Sequence, residues 1–396
     1  MAQSKEQKLW KACTDGDLEA VKKLASDPAV NINWVGEDRL DTPLHRACRF
    51  GRLEIVKVLL AQGKIEVNKG NKGDASPFYI SCQEGHKEVV SLLLADQRID
   101  PNKPQNEEAT PFHVASKIGH KEVVSLLLSD PRIDPNKPNN YGTTPFSVAC
   151  GKGHKEMVFL LLADPRIDPT KPKNDGTTPF FMACECGLKE VVSLLLADQR
   201  IDPNVPDDDG ATPFHISCQN GHKEVVSLLL ADPRIDPNRQ NNDNATSFFI
   251  ACQNDLKEVV SLLLADPRID PNKPDKEQGT PLWYASQDGH LVVVQLLLAS
   301  GREIDTKRRS TFNNKTAVEQ GRGMGPRTTK DSHETEEVFQ RRKAYGPLYA
   351  DLIEEYERNP AKIRTQMRQL QERDTLVASL ATKKETFPST ILTLSL

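Results

Sequence analysis

The chain has 396 residues, of which 37% are hydrophobic and 27% are charged, and its formal net charge is −4. Proteins that bind nucleic acid or anionic membranes usually carry a basic excess, so this charge argues against both as partners. The sequence has no apolar run of about eighteen residues, which a membrane-spanning helix needs, and no apolar signal peptide near its start. We therefore expect a protein of the cytoplasm, with the nucleus as an alternative location.

The first segment in chain order, residues 1–40, is a divergent copy of a sequence unit that recurs in the rest of the chain. Residues 12–21 resemble residues 47–56, because each stretch starts with Ala-Cys and ends with Leu-Glu-x-Val. This segment lacks the Thr-Pro pair that opens the later copies. We interpret it as an amino-terminal capping repeat, since the terminal repeats of such arrays are atypical.

Eight tandem copies occupy residues 41–312. Each copy opens with a threonine or serine, which is followed by proline in all but one copy. These opening residues recur with a strict period of 34 and are Thr42, Ser76, Thr110, Thr144, Thr178, Thr212, Thr246 and Thr280. A fixed period of this length indicates a repeat protein in which each copy buries its apolar face against the next.

Each copy begins with a predicted helix. In the third copy Thr110 is the predicted N-cap, because its hydroxyl can accept from a free amide, and proline suits the next position. The helix is predicted from Phe112 to about Lys117. Gly119 is predicted to end it, in the left-handed conformation that helix ends favour.

A second helix and a rigid connector complete the copy. The helix predicted over residues 122–129 has apolar side chains on more than half of its circumference, so it must be buried on several sides. The connector, residues 130–138, contains three prolines, which exclude a helix. Its apolar residue Ile133 is predicted to lie beneath the helices.

Residues 41–51 read Asp-Thr-Pro-Leu-His-Arg-Ala-Cys-Arg-Phe-Gly, and residues 55–60 read Ile-Val-Lys-Val-Leu-Leu. On these motifs the chain resembles the ankyrin-repeat family over about residues 7–312, and the other copies match in register. The resemblance implies an all-α fold, an α-solenoid of stacked helix-turn-helix units with β-turn or loop fingers and a concave surface that binds other proteins. The period of 34 departs from the family pattern, and so does the phenylalanine found two residues after the opening threonine or serine in six copies.

Cysteines and histidines recur with the repeat and predict no catalytic site, metal or cofactor. Seven cysteines share one position of the first helix, where we predict free, buried thiols: Cys13, Cys48, Cys82, Cys150, Cys184, Cys218 and Cys252. Cys186 adds only a Cys-x-Cys pair, which has too few ligands for structural zinc. The resemblance implies that His45, His113 and His215 bridge backbone groups of adjacent repeats.

Residues at the end of the first helix and at the fingertip differ among the copies, whereas the second helix is almost unchanged. These positions correspond to the binding positions of the ankyrin-repeat family, so we predict that their residues bind partners. The predicted binding residues at the helix ends are Arg49, Phe50, Gln83, Glu84, Lys117, Ile118, Lys152, Glu185, Cys186, Gln219, Asn220, Gln253, Asn254, Gln287 and Asp288. Those at the fingertips are Asn106, Glu107, Tyr141, Asp175, Asp208 and Asp209. Large residues dominate interface energy, so Phe50, Ile118 and Tyr141 are the candidate anchors. The alternative is that these positions vary because nothing contacts them.

The last part of the chain changes character. Over residues 313–382 we predict a degenerate capping repeat, a basic linker and a helical region, and over residues 383–396 a flexible tail. The glycine-rich residues 321–325 are predicted to be a flexible linker, because no strand precedes them as a phosphate loop requires. An apolar stripe is predicted after Gly346-Pro347, formed by Leu348, Leu352, Ile353 and Tyr356, and another helix at Pro360. These helices are predicted to cap the array, and the alternative is that they bind a partner or dimerise.

The predicted function is that of a non-catalytic scaffold, a monomer that binds one or more partner proteins along the concave face. The alternative is a regulatory or substrate-recruiting subunit of an enzyme complex, in ubiquitin ligation or kinase signalling, with catalysis on another chain. An enzyme in its own right would need a catalytic domain, for which residues 313–396 are too few.

Overall fold

The computed structural model describes residues 3–37, 39–324 and 335–369. The chain forms two compact units, Met1–Asp208 and Asp209–Leu396. Both are built from pairs of short helices, and the described residues contain no β-strand beyond an isolated bridge between Gln240 and Thr246. The predicted all-α repeat fold is confirmed.

The first unit contains six helix pairs. Their helices are α1 Lys5–Asp15, α2 Leu18–Ala25, α3 Pro43–Arg49, α4 Leu53–Leu60, α5 Pro77–Glu84, α6 Lys87–Ala95, α7 Pro111–Ile118, α8 Lys121–Leu128, α9 Pro145–Lys152, α10 Lys155–Leu162, α11 Pro179–Glu185 and α12 Lys189–Leu196.

The second unit contains three such pairs and a different ending. Its helices are α13 Pro213–Gln219, α14 Lys223–Leu230, α15 Ser247–Gln253, α16 Lys257–Ala265, α17 Pro281–Asp288, α18 Leu291–Ala299, α19 Ala317–Met324 and α20 Glu336–Arg358. Residues 360–369 are also helical.

The hydroxyl caps and glycine stops of the repeat act as predicted. Thr110 is extended, and its Oγ1 accepts a hydrogen bond from the His113 amide at 3.1 Å. Gly119 ends α7 with a φ of +94°, in the left-handed region that glycine adopts most readily. Both helices of this copy lie within one residue of their predicted bounds.

Each unit has two layers of helices with the core between them. In the first unit the first helices of successive pairs pack side by side, from α1 to α11, and the second helices do so from α2 to α12. Val123, Val124 and Leu127 of α8 are buried, as is Ile133 of the connector. The seven equivalent cysteines are buried free thiols and Cys186 is exposed, so the core assignment of the cysteines is confirmed.

The connectors join successive repeats through arginines that we call the connector arginines: Arg98, Arg132, Arg166, Arg200 and Arg268. Arg132 is typical, since its Nη2 donates to the Leu94 carbonyl, at the end of the preceding second helix, at 2.7 Å. The same guanidinium pairs with Asp130 at 2.7 Å and holds the pKa of that carboxyl below its usual value. Carbonyls at a helix end have no partner within the helix, so these arginines cap the neighbouring repeat.

Asparagines of the connectors form a second link, which we call the asparagine ladder: Asn33, Asn68, Asn102 and Asn136 in the first unit, and Asn238 and Asn272 in the second. Asn102 Nδ2 donates to the Arg132 carbonyl at 2.6 Å, and its Oδ1 accepts from the Asp134 amide at 3.0 Å. Each rung therefore satisfies two main-chain groups of the next connector, which explains why the Asp-Pro-Asn motif recurs.

The turn that precedes each first helix is a finger. Successive fingers are joined by one main-chain hydrogen bond, such as that from the Asn106 amide to the Gly73 carbonyl at 3.0 Å and that from the Asn140 amide to the Glu107 carbonyl at 3.1 Å. The fingers therefore form a continuous edge within each unit.

The end of the second unit corrects one sequence interpretation. Gly321 to Met324 belong to α19, so the flexible linker predicted for residues 321–325 is wrong for these residues, and Gly325 lies outside the described residues. Helix α19 packs beside α17, where a further first helix would lie. A Cβ on Gly321 would lie 2.8 Å from the Gly346 carbonyl oxygen, so glycine is used here for a close helix contact.

Helix α20 packs against α17, α18 and α19. It begins at Glu336 and continues through Pro347, so it starts twelve residues before Leu348, the first residue of the predicted stripe. Ile353 and Tyr356 of that stripe are buried and Leu352 is half-buried, but Leu348 is 53% exposed. Tyr349 takes its place in the core, because the packed face is set by α19. The predicted flexible tail, residues 383–396, lies outside the described residues.

Candidate partner-binding grooves

A groove of about 430 Å³ opens in the first unit between the fingers and the first helices. Its lining residues are Arg39, Arg49, Asn71, Lys72, Gly73, Ala75, Tyr79, Ile80, Gln83, Gln105 and Glu107. The charged members of the lining are three cations and one anion, and one of the cations, Arg49, is paired with carboxylates outside the lining.

Arg49 is held in place by ion pairs. Its guanidinium contacts the Asp41 carboxylate at 3.4 Å and the Glu84 carboxylate at 3.1 Å. Asp41 is 1% exposed and also accepts from the Asn71 amide nitrogen at 2.9 Å. The Arg49 side chain is itself only 12% exposed, so it mainly joins two repeats and presents a limited surface to a partner.

A second groove, of about 370 Å³, lies in the second unit between its fingers and first helices. Its lining residues are Gln219, Asn241, Asp243, Ala245, Phe249, Ile250, Gln253, Asn254, Asp275, Lys276, Glu277 and Tyr284. Three carboxylates face one ammonium group, so this groove is acidic.

Tyr284 is the aromatic centre of the second groove. Its ring packs edge-on against Phe249 and against Trp283, with centroids 4.8 Å and 4.9 Å away. Its hydroxyl donates to Asp275 Oδ2 at 2.8 Å. Burial, the Asp275 hydrogen bond and nearby carboxylates all raise the pKa of Tyr284, so the phenol stays neutral. A Cβ on Gly279 would lie 2.5 Å from the ring, which leaves glycine as the residue that fits there.

Six of the predicted binding residues line the two grooves. Arg49, Gln83 and Glu107 lie in the first groove, and Gln219, Gln253 and Asn254 lie in the second. The sequence prediction placed them at helix ends and fingertips, and the structure places them there.

The other predicted residues line neither groove. At the ends or C-caps of first helices lie Phe50, Glu84, Lys117, Ile118, Lys152, Glu185, Cys186, Asn220, Gln287 and Asp288. On the fingers lie Asn106, Tyr141, Asp175, Asp208 and Asp209.

The three candidate anchors are exposed, but they lie outside both grooves. Phe50 is 41%, Ile118 45% and Tyr141 62% exposed. The Phe50 ring is covered on one side by the Arg46 guanidinium, 4.8 Å from its centroid. Large apolar groups that reach solvent in this way remain available as separate contact points.

Sequence reasoning missed Tyr79 in the first groove, and Phe249, Asp275 and Tyr284 in the second. For Tyr284 a signal was present, because the equivalent position of the other copies holds isoleucine, valine, methionine or, in the first copy, arginine. A polar aromatic residue in a mainly aliphatic column marks a position with a local role.

Four histidines form hydrogen bonds to the C-terminal ends of first helices. The Nε2 atoms of His86, His120, His154 and His290 lie 2.8 to 3.0 Å from first-helix carbonyls of the preceding repeat, at Arg49, Gln83, Lys117 and Gln253 respectively. A carbonyl can only accept, so each Nε2 carries the proton. The bridging role implied for His45 and His215 is confirmed, with Nε2 at 2.9 Å from the Ala75 carbonyl and 3.2 Å from the Ala245 carbonyl. The same role is wrong for His113, whose ring makes no such hydrogen bond and whose Nδ1 is buried without a partner.

Two further observations concern the described part of the chain. Its histidine, cysteine, aspartate and glutamate side chains form no group of three or more that could hold a metal ion. None of its helices combines the length and the apolar character needed to cross a membrane.

Comparison with known proteins identifies the family to which the repeats belong. The family model described as Ankyrin repeats (3 copies) matches residues 9–105, 97–173, 166–241 and 234–308, which is well over half of the chain. The human protein "Ankyrin repeat domain-containing protein 49" is 46% identical over 55 residues, and this match covers 14% of the chain and 22% of that protein. From the family match and the stacked helix pairs, we conclude that this chain belongs to the ankyrin-repeat family.

Proposed function

We propose that this chain is a non-catalytic scaffold that binds partner proteins through the grooves between its fingers and first helices. Ankyrin repeats generally mediate protein–protein interactions. The main support for the proposal is that constant and variable residues occupy different parts of the repeat. The second helix, the connector arginines and the asparagine ladder recur almost unchanged, whereas the residues that line the grooves differ from copy to copy.

Exposure of the variable residues supports this function. Gln219 and Asn254 in the second groove, and Arg39 and Glu107 in the first, are exposed and polar. Large aromatic residues, such as Tyr79 and Tyr284, lie deeper in the grooves. A polar rim around a partly apolar floor is typical of protein-binding surfaces.

The environment of the histidines and cysteines favours a non-catalytic role. Four imidazoles donate to main-chain carbonyls, and burial raises the pKa of the Cys13 thiol to about 12. A thiol with such a high pKa is a poor nucleophile, because the thiolate is the reactive form.

Affinity capture with the full chain tests the scaffold. Three variants are compared with the wild type: Arg39→Ala/Glu107→Ala in the first groove, Gln219→Ala/Asn254→Ala in the second, and a control, Lys223→Ala/Lys257→Ala, on the second-helix surface. All six side chains are exposed, so folding should be unchanged. Proteins recovered by mass spectrometry with wild type and control but lost with a groove variant support the proposal.

Reproducible recovery of the same proteins by all four forms would place binding elsewhere on the surface. If no protein were recovered by any folded form, the scaffold function itself would be contradicted. Recovery of catalytic subunits of a ubiquitin ligase or of a kinase complex would favour a recruiting role.

We further propose that the chain is a monomer of the cytoplasm or nucleus. Its eight free cysteines, seven of them buried, fit a reducing compartment. Light scattering of the purified chain should give a mass near 44.1 kDa, and cell fractionation should place the protein in the cytosolic or nuclear fraction. A dimer mass or a secreted product would contradict this proposal.

A further inference from the structure

The two grooves differ in charge at equivalent positions, although Lys72 and Lys276 correspond and carry the same charge. Arg39 of the first groove and Asp243 of the second are related by six repeats, and so are Gly73 and Glu277. These differences lie at the fingertips: a cation is replaced by an anion at one position, and an uncharged residue by an anion at the other. Two grooves of one fold therefore present different electrostatic fields to a partner.

The floor of the second groove is apolar and aromatic. Ala245, Phe249 and Ile250 are buried together, and the half-buried Tyr284 ring packs on them. The Tyr284 hydroxyl is taken up by the Asp275 carboxylate. The ring is thus fixed, and its apolar surface can receive a flat or extended group.

Carboxylates surround this floor. Asp243, Asp275 and Glu277 line the groove beside it, and Asp275 accepts the hydrogen bond of the Tyr284 hydroxyl at 2.8 Å. Asp275 is 7% exposed, so water screens its charge weakly.

The one ammonium group of the lining does not neutralise the groove. Lys276 Nζ contacts Asp243 Oδ1 at 2.6 Å, with side chains 58% and 64% exposed. Exposed pairs of this kind are weak, so Asp243 can exchange Lys276 for an incoming cation.

We propose that the second groove binds an arginine side chain in an extended basic segment of a partner protein. This inference rests on the proposed scaffold function and assigns the chemistry of one groove. The guanidinium lies against the Tyr284 ring, with Glu277 and Asp243 as its carboxylate partners. Arginine fits better than lysine, because a planar guanidinium stacks on an aromatic ring and pairs with carboxylates through two parallel hydrogen bonds.

Fluorescence anisotropy with the full chain tests this assignment. The probe is a fluorescein-labelled peptide of three Ser-Gly-Arg-Gly units, and matched peptides carry lysine or glutamate in place of arginine. We expect the arginine peptide to bind most tightly, the lysine peptide about fivefold less tightly and the glutamate peptide not to bind the second groove. Binding should weaken as the salt concentration rises.

Variants locate the binding. Asp243→Asn/Glu277→Gln should weaken the arginine peptide at least about tenfold, because two partners of the guanidinium lose their charge. The matched control, Glu224→Gln/Glu258→Gln, removes the same charge from the exposed second helices of the same unit and should change binding less than about twofold. Tyr284→Ala should weaken binding about fivefold, whereas Tyr284→Phe keeps the ring and should retain it. Circular dichroism of each variant verifies folding.

Equal losses in the groove variant and the control would overturn the assignment, because binding would then depend on net charge alone. Loss of binding in Tyr284→Phe as large as in Tyr284→Ala would exclude the ring as the contact. Partner capture is independent of the peptide. Capture without arginine-peptide binding would therefore refute this inference and leave the scaffold function in place.

Discussion

Thr170 interrupts the asparagine ladder, and its replacement by asparagine should stabilise the first unit. Asn136, one repeat earlier, donates to the Arg166 carbonyl at 2.5 Å and accepts from the Asp168 amide at 2.9 Å. At the equivalent position the Thr170 hydroxyl instead donates to Asp168 Oδ1 at 2.7 Å. Its side chain is too short to span to the next connector as asparagine does.

The magnitude can be worked from the two hydrogen bonds that Thr170→Asn would add. Each rung of the ladder has one bond to a carbonyl and one from an amide, and a net contribution of about 0.5–1.5 kcal/mol is typical for each. Ordering the new side chain and losing the threonine bond offset part of this gain. We expect about 1 kcal/mol of added stability, and a loss of about 1–2 kcal/mol for the reverse change, Asn136→Thr.

Hydrogen exchange gives the most direct assay. The new amide would face the Arg200 carbonyl and the Asp202 amide, so exchange at Asp202 should slow in Thr170→Asn. Urea unfolding, monitored by circular dichroism, should shift to higher urea for Thr170→Asn and to lower urea for Asn136→Thr. An unchanged exchange rate at Asp202 together with an unchanged urea midpoint would refute the ladder as a stabilising device.

Three further predictions concern single buried or capping groups. His113 is buried, its Nδ1 has no hydrogen-bond partner and burial lowers its pKa to about 4, so the unfolded chain binds a proton first as pH falls below about 6.5. The wild type should therefore lose about 2 kcal/mol more of its unfolding free energy between pH 6.5 and pH 5 than His113→Phe does. Urea unfolding at both pH values measures this, and equal losses in the wild type and the variant would contradict it. Gly321→Ala should cost about 1–3 kcal/mol in thermal unfolding because its Cβ meets the Gly346 carbonyl at 2.8 Å, whereas Gly323→Ala, which meets only the end of a flexible lysine, should be neutral or stabilising. Arg132→Ala should cost about 1 kcal/mol in urea unfolding through the lost helix cap, and an unchanged midpoint would show that the bond contributes nothing.

Local structure was predictable because it depends on residues close in sequence. The Thr110 cap, the Gly119 stop and the buried cysteine column each depend on one helix and its own ends. The link between repeats was not predictable in the same way. His86 bonds the Arg49 carbonyl, 37 residues earlier, and a sequence pattern shows that histidine recurs without showing what it contacts.

The candidate site was predicted in outline only. The variable helix ends and fingertips lie where they were expected, but the groove floors are formed by Tyr79, Phe249 and Tyr284. These residues lie on faces that the family pattern assigns to the core. Tyr79 and Phe249 are buried and Tyr284 is half-buried, and their place beneath a groove depends on the packing of neighbouring repeats, which the sequence pattern does not show.

The glycine-rich residues at the end of the array show where a prediction from local composition fails. Residues 321–325 have the composition of a linker, yet Gly321 lies in a helix because α20 packs close against it. Composition reports what a segment prefers alone, and packing against α20 outweighs the helix-breaking tendency of glycine.

Three kinds of link between repeats share a property that helps to explain how near-identical copies can carry different grooves. Arg98 donates a hydrogen bond to the Leu60 carbonyl, Asn68 to the Arg98 carbonyl and His86 to the Arg49 carbonyl. Each acceptor is a main-chain atom, which every residue type provides. A change of side chain at one of these acceptor residues therefore leaves the bond intact, so the charge of a fingertip can differ between one unit and the other without loss of the fold.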